Sequence, residues 1–206
     1  MLYILTGNIQ IGKTRWLESL VTQLSAAGVG VFGVLAPGVW REYVDEKGTA
    51  CFEKLGIDNK LLPSGELIPL ARRRDLAQAE GVFDENSQSA KASLGWEMSD
   101  DALAEVNEHF RNLAAGSSEE LRDRGLLVID ELGPLELLRG GGLIEALTLL
   151  ESGPNARWGH ALVVVRESLV DLAVERFSRS WSEVEVVAPG EEAKSKVVRL
   201  FDECVS

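Results

Sequence analysis

Short apolar runs and helical periodicities alternate along most of the chain. A run at 2–6 ends at Gly7 and predicts a buried parallel strand. Over 13–27 the apolar residues recur at helical spacing, and Gly28 is a stop signal. The β-rich run 29–35 follows, so the chain begins with a predicted strand–helix–strand unit and therefore a parallel sheet.

The same alternation returns in the second half of the chain. Ser99 precedes an acidic first turn and a helical periodicity, which predicts a capped helix, and 117–120 is expected to open a further turn or two. An apolar run at 126–129, which two acids follow, predicts a buried strand. The rest of the pattern predicts helix 142–151, strand 161–165, helix 167–177, strand 184–187 and helix 190–203.

The segment after the first strand–helix–strand unit has a different pattern. Two strand-like runs, 39–44 and 49–54, flank the turn sequence at 45–48. With a second turn expected at 63–66, we interpret 40–70 as an antiparallel β insertion.

Residues 71–95 are polar and weakly patterned, which predicts a mobile loop. Arg41 and Trp96 lie in the irregular middle of the chain, on either side of the segment 55–95, where a base or a substrate could be held. The whole chain, 1–206, is thus predicted to be one domain with an insertion at about 40–95.

Composition and charge narrow the classes of protein. The 206 residues are 45% hydrophobic and 26% charged, which is typical of a globular domain. The net charge of −12 disfavours broad nucleic-acid binding but allows a local basic pocket. No apolar run approaches the ~20 residues of a membrane helix, and the N-terminus does not resemble a signal peptide.

The cysteines and histidines exclude several kinds of site. Cys51 and Cys204 form neither a metal motif nor a disulfide framework, so we expect reduced thiols in a cytoplasmic protein. With only His109 and His160, a zinc site of several histidines is excluded, and so is most Ser-His-Asp chemistry.

The turn between the first strand and the first helix has the spacing of a phosphate-binding loop, G-x-x-x-x-G-K-[ST]. Its residues are Gly7, Asn8, Ile9, Gln10, Ile11, Gly12, Lys13 and Thr14. The glycines let backbone N–H groups point at phosphate oxygens, and the helix adds its positive end. Lys13 can bridge the β- and γ-phosphates, and Thr14 can offer its hydroxyl to Mg²⁺. A glycine-rich turn with a solvated lysine is the alternative, but the position between a strand and a helix favours nucleotide binding.

Asp130 and Glu131 form the second candidate site. The last residues of a buried parallel strand lie at the carboxyl edge of the sheet, where the loop beginning at Gly7 also leaves its strand. We therefore expect the loop and the two acids to face one triphosphate from neighbouring strand ends. There Asp130 would hold Mg²⁺, and Glu131 would orient or deprotonate an attacking water.

Three further signals leave alternatives open. Arg166 follows an apolar run, so it either stabilises charge on the transferred phosphoryl group or pairs at a helix start with Glu167 or Asp171. Glu136 either shapes the loop after the two acids or lies at the surface. The basic run 72–74 is either a lid over phosphates or a solvated face, and we favour the solvated face.

These residues resemble the small nucleoside-triphosphatases of archaea, bacteria and animals, a family described from thermophiles and as a cancer-related enzyme. The resemblance, which runs nearly end to end, comprises the loop 7–14, the strand 28–35 with Val39 and Arg41 after it, the stretch 126–136 and the strand ending at Arg166. It implies a RecA-like P-loop fold of class α/β with a mostly parallel central sheet. It also implies slow, Mg²⁺-dependent hydrolysis of ATP, GTP and other nucleotides to the diphosphate.

The chain departs from the family at three places. Members usually carry an extra glycine or proline within the loop, where this chain has Asn8, Ile9, Gln10 and Ile11. Pro134 replaces the lysine that is common after Gly133. The segment 55–95 matches poorly, so no role is carried over to it.

Three functions follow from this sequence. The favoured one is Mg²⁺-dependent hydrolysis of nucleoside 5′-triphosphates with water as the acceptor. The others are a small-molecule kinase or phosphotransferase that uses ATP, with an unknown acceptor on the insertion, and a nucleotide-dependent switch without turnover. The guanine-reading motif Asn-Lys-x-Asp is absent, because the near match at 59–62 lacks the acid, so strict base selectivity is not expected. The catalytic residues would be Lys13, Glu131 and Arg166, and the metal ligands Thr14 and Asp130.

Overall fold

The computed structural model describes residues 1–8, 11–116 and 125–202. The strands are β1 (Leu2–Leu5), β2 (Val31–Leu35), β3 (Gly38–Val44), β4 (Ala50–Leu62), β5 (Leu67–Arg73), β6 (Trp96–Met98), β7 (Leu126–Leu132), β8 (His160–Val165) and β9 (Val184–Val187). The helices are α1 (Lys13–Ala26), α2 (Arg74–Glu80), α3 (Gln88–Lys91), α4 (Asp100–Ala115), α5 (Pro134–Arg139), α6 (Ile144–Ser152), α7 (Val170–Phe177) and α8 (Glu191–Asp202). The expected turns at 117–120 and the expected thiol of Cys204 lie outside the described residues.

One sheet contains all of these strands, in the order β6-β5-β4-β2-β7-β8-β1-β9, with β3 paired to β4. Strands β2, β7, β8, β1 and β9 are parallel, and helices cover both of their faces. Leu2 and Ile4 pack in the core beneath α4, α6 and α7, whereas Tyr3 and Leu5 pack beneath α1 and α8. The alternation of side chains along β1 therefore fills two cores, and the predicted α/β class is confirmed.

The order of the strands determines which candidate site residues lie together at the carboxyl edge of the sheet. Because β1, β7 and β8 are parallel, the loops that follow them leave the sheet at the same edge. The loop after β1 carries the glycine turn, the last residues of β7 include the acid pair, and Arg166 directly follows β8. The expectation of neighbouring strand ends is wrong in one respect, since β8 lies between β1 and β7.

The antiparallel part of the sheet is a continuation of the parallel part. The first half of β4 pairs with β3 across the predicted turn, and its second half pairs with β2 and β5. The predicted antiparallel strands and the second turn are therefore present. They extend the central sheet through β2.

The prediction of a loop at 71–95 is wrong. The segment contains the end of β5 and the helices α2 and α3. These helices are too short to give a periodicity, since α2 buries only Ala77 and α3 only Ser89. Their limits are set locally instead, by Gly81 with φ of 73° after α2 and by Ser87, whose Oγ accepts from Ala90 N at 3.1 Å.

Helix α5, which directly follows the acid pair's strand, was also not predicted. It spans only six residues. The longer elements agree closely with the predicted ones, and Ser99 caps α4 by accepting from Ala102 N at 3.1 Å.

Within the described part of the chain, no helix has the length and apolar character needed to span a membrane.

Candidate active site

The glycine-rich loop is held at the end of β1 and opens directly into α1. The backbone N–H of Thr6 donates to the carbonyl of Val187 on β9 at 2.9 Å, which fixes the start of the loop. Gly7 has φ of 138° and Gly12 has φ of 92°, backbone angles that residues other than glycine rarely adopt. Both glycines of the sequence pattern are thus required by the backbone. Residues 9 and 10 of the loop lie outside the described residues.

The two positive features of this loop lie together. Lys13 Nζ donates to the carbonyls of Gly7 at 2.8 Å and Asn8 at 2.9 Å, so the ammonium lies against the loop backbone. Helix α1 has no acidic residue in its first turn to offset its positive end. An anion at this point would meet both charges.

The structure brings Thr14 and Asp130 together from distant parts of the chain. The Thr14 side chain, in the first turn of α1, lies close enough to the carboxyl group of Asp130 on β7 to lower the pKa of that group. Oδ2 of Asp130 also accepts from Ala36 N, just after β2, at 3.0 Å. Asp130 is only 4% exposed, so three elements converge on one buried carboxyl group.

Burial dominates the titration of this carboxyl group. It raises the pKa of Asp130 to about 6, with the charge of Glu131 acting in the same direction. The hydrogen bond from Ala36, the Thr14 side chain and the charge of Lys54 lower the pKa of Asp130 and only partly offset this effect. A buried carboxylate with so few positive neighbours favours a bound cation.

Glu131 and Arg166 form an ion pair across the ends of β7 and β8. Arg166 Nε donates to Glu131 Oε1 at 2.7 Å, and both side chains remain partly exposed. The alternative helix-start ion pair of Arg166 with Glu167 or Asp171 is therefore not formed, and Arg166 pairs with Glu131 instead. The ladder between β7 and β8 is interrupted between Ile129 and Leu132, and the peptide bond from Asp130 to Glu131 is cis.

Lys54 is a cation at this site that the sequence analysis missed. It lies on β4, partly buried, with Nζ at 6.0 Å from the Trp40 ring centroid and 5.3 Å from that of Trp96. Burial lowers the pKa of Lys54, and the nearby charges of Glu131 and Asp130 raise it. The predicted turn at 45–48 could have indicated this contact. A hairpin closed by that turn pairs Trp40 on β3 with Lys54 on β4.

Glu136 shapes the loop after the acid pair. It is 5% exposed, and its oxygens accept from Gly133 N at 2.8 Å and Leu143 N at 3.1 Å. Burial raises the pKa of Glu136, and these backbone hydrogen bonds oppose the rise. The alternative of a surface position for Glu136 is therefore wrong.

In the basic run 72–74, Arg72 and Arg73 form ion pairs within the antiparallel extension, whereas Arg74 donates to the carbonyl of Leu94. Arg72 pairs with Glu80 at 2.5 Å, and Arg73 pairs with Glu53 at 2.6 Å. These bonds leave the guanidinium groups engaged at the surface of the extension, as the favoured alternative predicts.

The chemistry of the Thr14 and Asp130 oxygens fits Mg²⁺. In proteins Mg²⁺ is usually held by one or two carboxylates together with substrate phosphates and water, and rarely by a complete protein cage. Among the described residues, no group of three or more His, Cys, Asp or Glu side chains could hold a metal ion alone. A carboxyl group beside a hydroxyl, next to a phosphate-type loop, is the kind of partial set that Mg²⁺ takes.

Comparison with known proteins identifies the fold. No family model matches the chain, and no curated protein matches it in sequence. The solution structure of a human cancer-related nucleoside triphosphatase is similar over 100% of this chain and 96% of its own, with 20% identity and a TM-score of 0.56. The crystal structure of THEP1 from the hyperthermophile Aquifex aeolicus is similar over 98% of this chain and 99% of its own, with 14% identity and a TM-score of 0.65. At these identities the likeness shows a shared fold, which agrees with the predicted α/β class.

Proposed function

We propose that this protein hydrolyses nucleoside 5′-triphosphates to the diphosphate and phosphate in a reaction that requires Mg²⁺. One observation carries the proposal: Thr14, at the end of the glycine-rich loop, lies beside the carboxyl group of Asp130 at the end of β7, close enough to lower the pKa of that group. A phosphate loop and a buried acid at one sheet edge are what a Mg²⁺-triphosphate requires. One of the two structural neighbours is a human cancer-related nucleoside triphosphatase, which agrees with this function.

In this proposal the loop binds the phosphates. Lys13 exchanges its present bonds with the Gly7 and Asn8 carbonyls for bonds with the β- and γ-phosphate oxygens. The positive end of α1 and the loop N–H groups bind the same oxygens. The loop thereby orients the γ-phosphate toward the acid pair.

Thr14 and Asp130 are the proposed Mg²⁺ ligands. When bound, Mg²⁺ would neutralise charge on the phosphate oxygens. Asp130 must be ionised to act as a ligand, and because burial raises its pKa to about 6, the ionised form predominates only above that pH. Thr14 contributes its hydroxyl and fixes the position of the carboxylate.

Glu131 is the proposed base. Its Oε1 is held by Arg166 at 2.7 Å, whereas Oε2 has no hydrogen-bond partner among the residues described. Oε2 is then the oxygen that accepts a proton from the attacking water. Arg166 positions Glu131 by this bond and, with Lys54, places positive charge near the transferred phosphoryl group.

The test is phosphate release from a panel of nucleoside triphosphates, with Mg²⁺ and without any added acceptor. We expect steady release of phosphate from nucleoside triphosphates with several different bases. This release should stop when Mg²⁺ is chelated. Lys13→Ala is expected to abolish turnover, because it removes the main charge from the phosphates.

Thr14→Ala and Thr14→Ser form a matched pair for the observation that carries the proposal. Loss of the hydroxyl in Thr14→Ala should reduce the rate by about 10- to 100-fold and raise the Mg²⁺ requirement, whereas Thr14→Ser should retain most of the activity. Equal rates for the two variants, or release only in the presence of an acceptor, would contradict the proposal.

A further inference from the structure

A cavity lies on the antiparallel extension, away from the glycine-rich loop. Its volume is about 490 Å³, and it lies between β5, β6 and the start of α4. Strand β6 separates it from the candidate active site, because Trp96 and Glu97 are consecutive and their side chains point to opposite faces. Trp96 faces Lys54, whereas Glu97 lines the cavity.

Glu97 is the unexplained group in this cavity. It is 8% exposed, and its Oε2 is buried with no hydrogen-bond partner among the described residues. A buried carboxylate oxygen without a partner is costly, and in native structures such groups are nearly always satisfied. The Glu97 carboxylate therefore lacks a positive partner within the part of the chain that the structure describes, and the cavity that Glu97 lines is where such a partner can enter.

The remaining charges that line the cavity are mostly negative. Asp84, Asp100 and Asp101 contribute three further carboxylates. Arg72, the cation in this lining, is already paired with Glu80 through bonds of 3.1 and 2.5 Å. The positive end of α4 offsets part of the charge of Asp100 and Asp101, but the cavity keeps an excess of negative charge.

A metal ion does not fit this arrangement. The described residues include no group of three or more acidic, His or Cys side chains able to hold a metal ion. The lining combines the acids with apolar side chains, including Val82 and Met98. Carboxylates on a partly apolar wall suit an organic cation with a short aliphatic stem.

We propose that this cavity binds a small organic cation, whose ammonium or guanidinium group pairs with the carboxylate of Glu97. The aliphatic stem of the ligand packs against the apolar wall, and the acids at the rim attract its charge. The site is independent of the proposed nucleotide hydrolysis, so either can fail without the other.

Isothermal titration calorimetry of the full chain, without nucleotide and with a chelator, tests this site. The probes are butylamine, agmatine and spermidine, with butan-1-ol as the uncharged control. We expect saturable binding of at least one cation and none of the alcohol. Glu97→Gln should weaken that binding at least tenfold, because it keeps the shape and removes the charge.

Glu105→Gln is the matched control, since Glu105 is an exposed acid of α4 that does not line the cavity. Its affinity should equal that of the unmodified protein. If Glu97→Gln does not fold, Asp101→Asn replaces it, with an expected weakening of a few-fold. The proposal is overturned if no cation binds saturably, if the alcohol binds as well, or if the cavity variant and Glu105→Gln lose affinity equally.

Discussion

Asp130 has a stability cost that its proposed role explains. Its folded-state pKa of about 6 exceeds the ordinary value for an aspartate, near 3.9, so the folded protein binds more protons between these two values. The carboxyl group therefore destabilises the metal-free fold above about pH 6, and this cost disappears below about pH 4.

Asp130→Asn is expected to raise the free energy of unfolding of the metal-free protein by about 1–3 kcal/mol at neutral pH and to leave it unchanged near pH 4. Urea denaturation in the presence of a chelator, at both pH values, measures the difference. Glu105→Gln, an exposed change, should shift stability at neither pH. A lower free energy of unfolding for Asp130→Asn at neutral pH would show that the buried Asp130 carboxylate stabilises the metal-free fold, contrary to this prediction.

Lys54 adds charge near the acid pair, and its removal should slow turnover. We expect Lys54→Met to lower kcat by about 10- to 100-fold, because a fixed cation no longer stabilises developing negative charge. Lys54→Arg should retain a larger share of the activity. Lys47→Met, at the exposed hairpin turn, is the control. Steady-state phosphate release measures all three variants, and an unchanged kcat in Lys54→Met would remove this lysine from the site.

Glu131→Gln separates binding from chemistry. The amide cannot accept the proton of water, so we expect kcat to fall by about 10²- to 10⁴-fold. Nucleotide affinity, measured by calorimetry, should stay within a few-fold of the original. Loss of Mg²⁺-nucleotide affinity with an unchanged rate per bound nucleotide would assign Glu131 to binding instead.

At the scale of elements, the loop around α5 depends on one close approach. Gly142 and Gly140 have nearly equal φ values, 67° and 66°. A Cβ at Gly142 would lie 1.9 Å from Oε1 of Glu136, whereas a Cβ at Gly140 would meet nothing within 4 Å. The two glycines thus separate backbone strain from displacement of Glu136.

Gly142→Ala should lower the free energy of unfolding by about 2 kcal/mol more than Gly140→Ala does, since both variants share the backbone strain. Thermal or urea denaturation of the two variants provides the comparison. Equal losses would mean that Glu136 moves aside at no cost.

Elements with a long apolar repeat were predictable, and shorter ones were not. The repeat in α1 and the cap of α4 by Ser99 gave nearly correct limits. Helices α2 and α3 each bury a single side chain, so polar composition favoured a loop at 71–95, and α5 spans only six residues, too few for a repeat. Tertiary packing and local caps, rather than periodicity, stabilise such short helices.

For the whole molecule, charge limits the partners. The net charge of −12 opposes a phosphate backbone, while the local charge of Lys13 and the end of α1 still attracts a single triphosphate. We therefore expect single-stranded DNA and RNA neither to bind at moderate salt nor to change the rate of phosphate release. A gel-shift assay together with the release assay checks both. Stimulation of turnover by nucleic acid would contradict this expectation.

The loop chemistry was determined by the sequence alone, because the two glycines, Lys13 and Thr14 act within one local turn. The alternation of strands and helices was also local, and it predicted which residues lie at strand ends. Only the tertiary structure decided that Thr14 meets Asp130, that Arg166 pairs with Glu131, and that Lys54 reaches them from the antiparallel extension. The physical reason is strand order: β8 inserts between β1 and β7, and this choice depends on long-range packing that no local periodicity specifies.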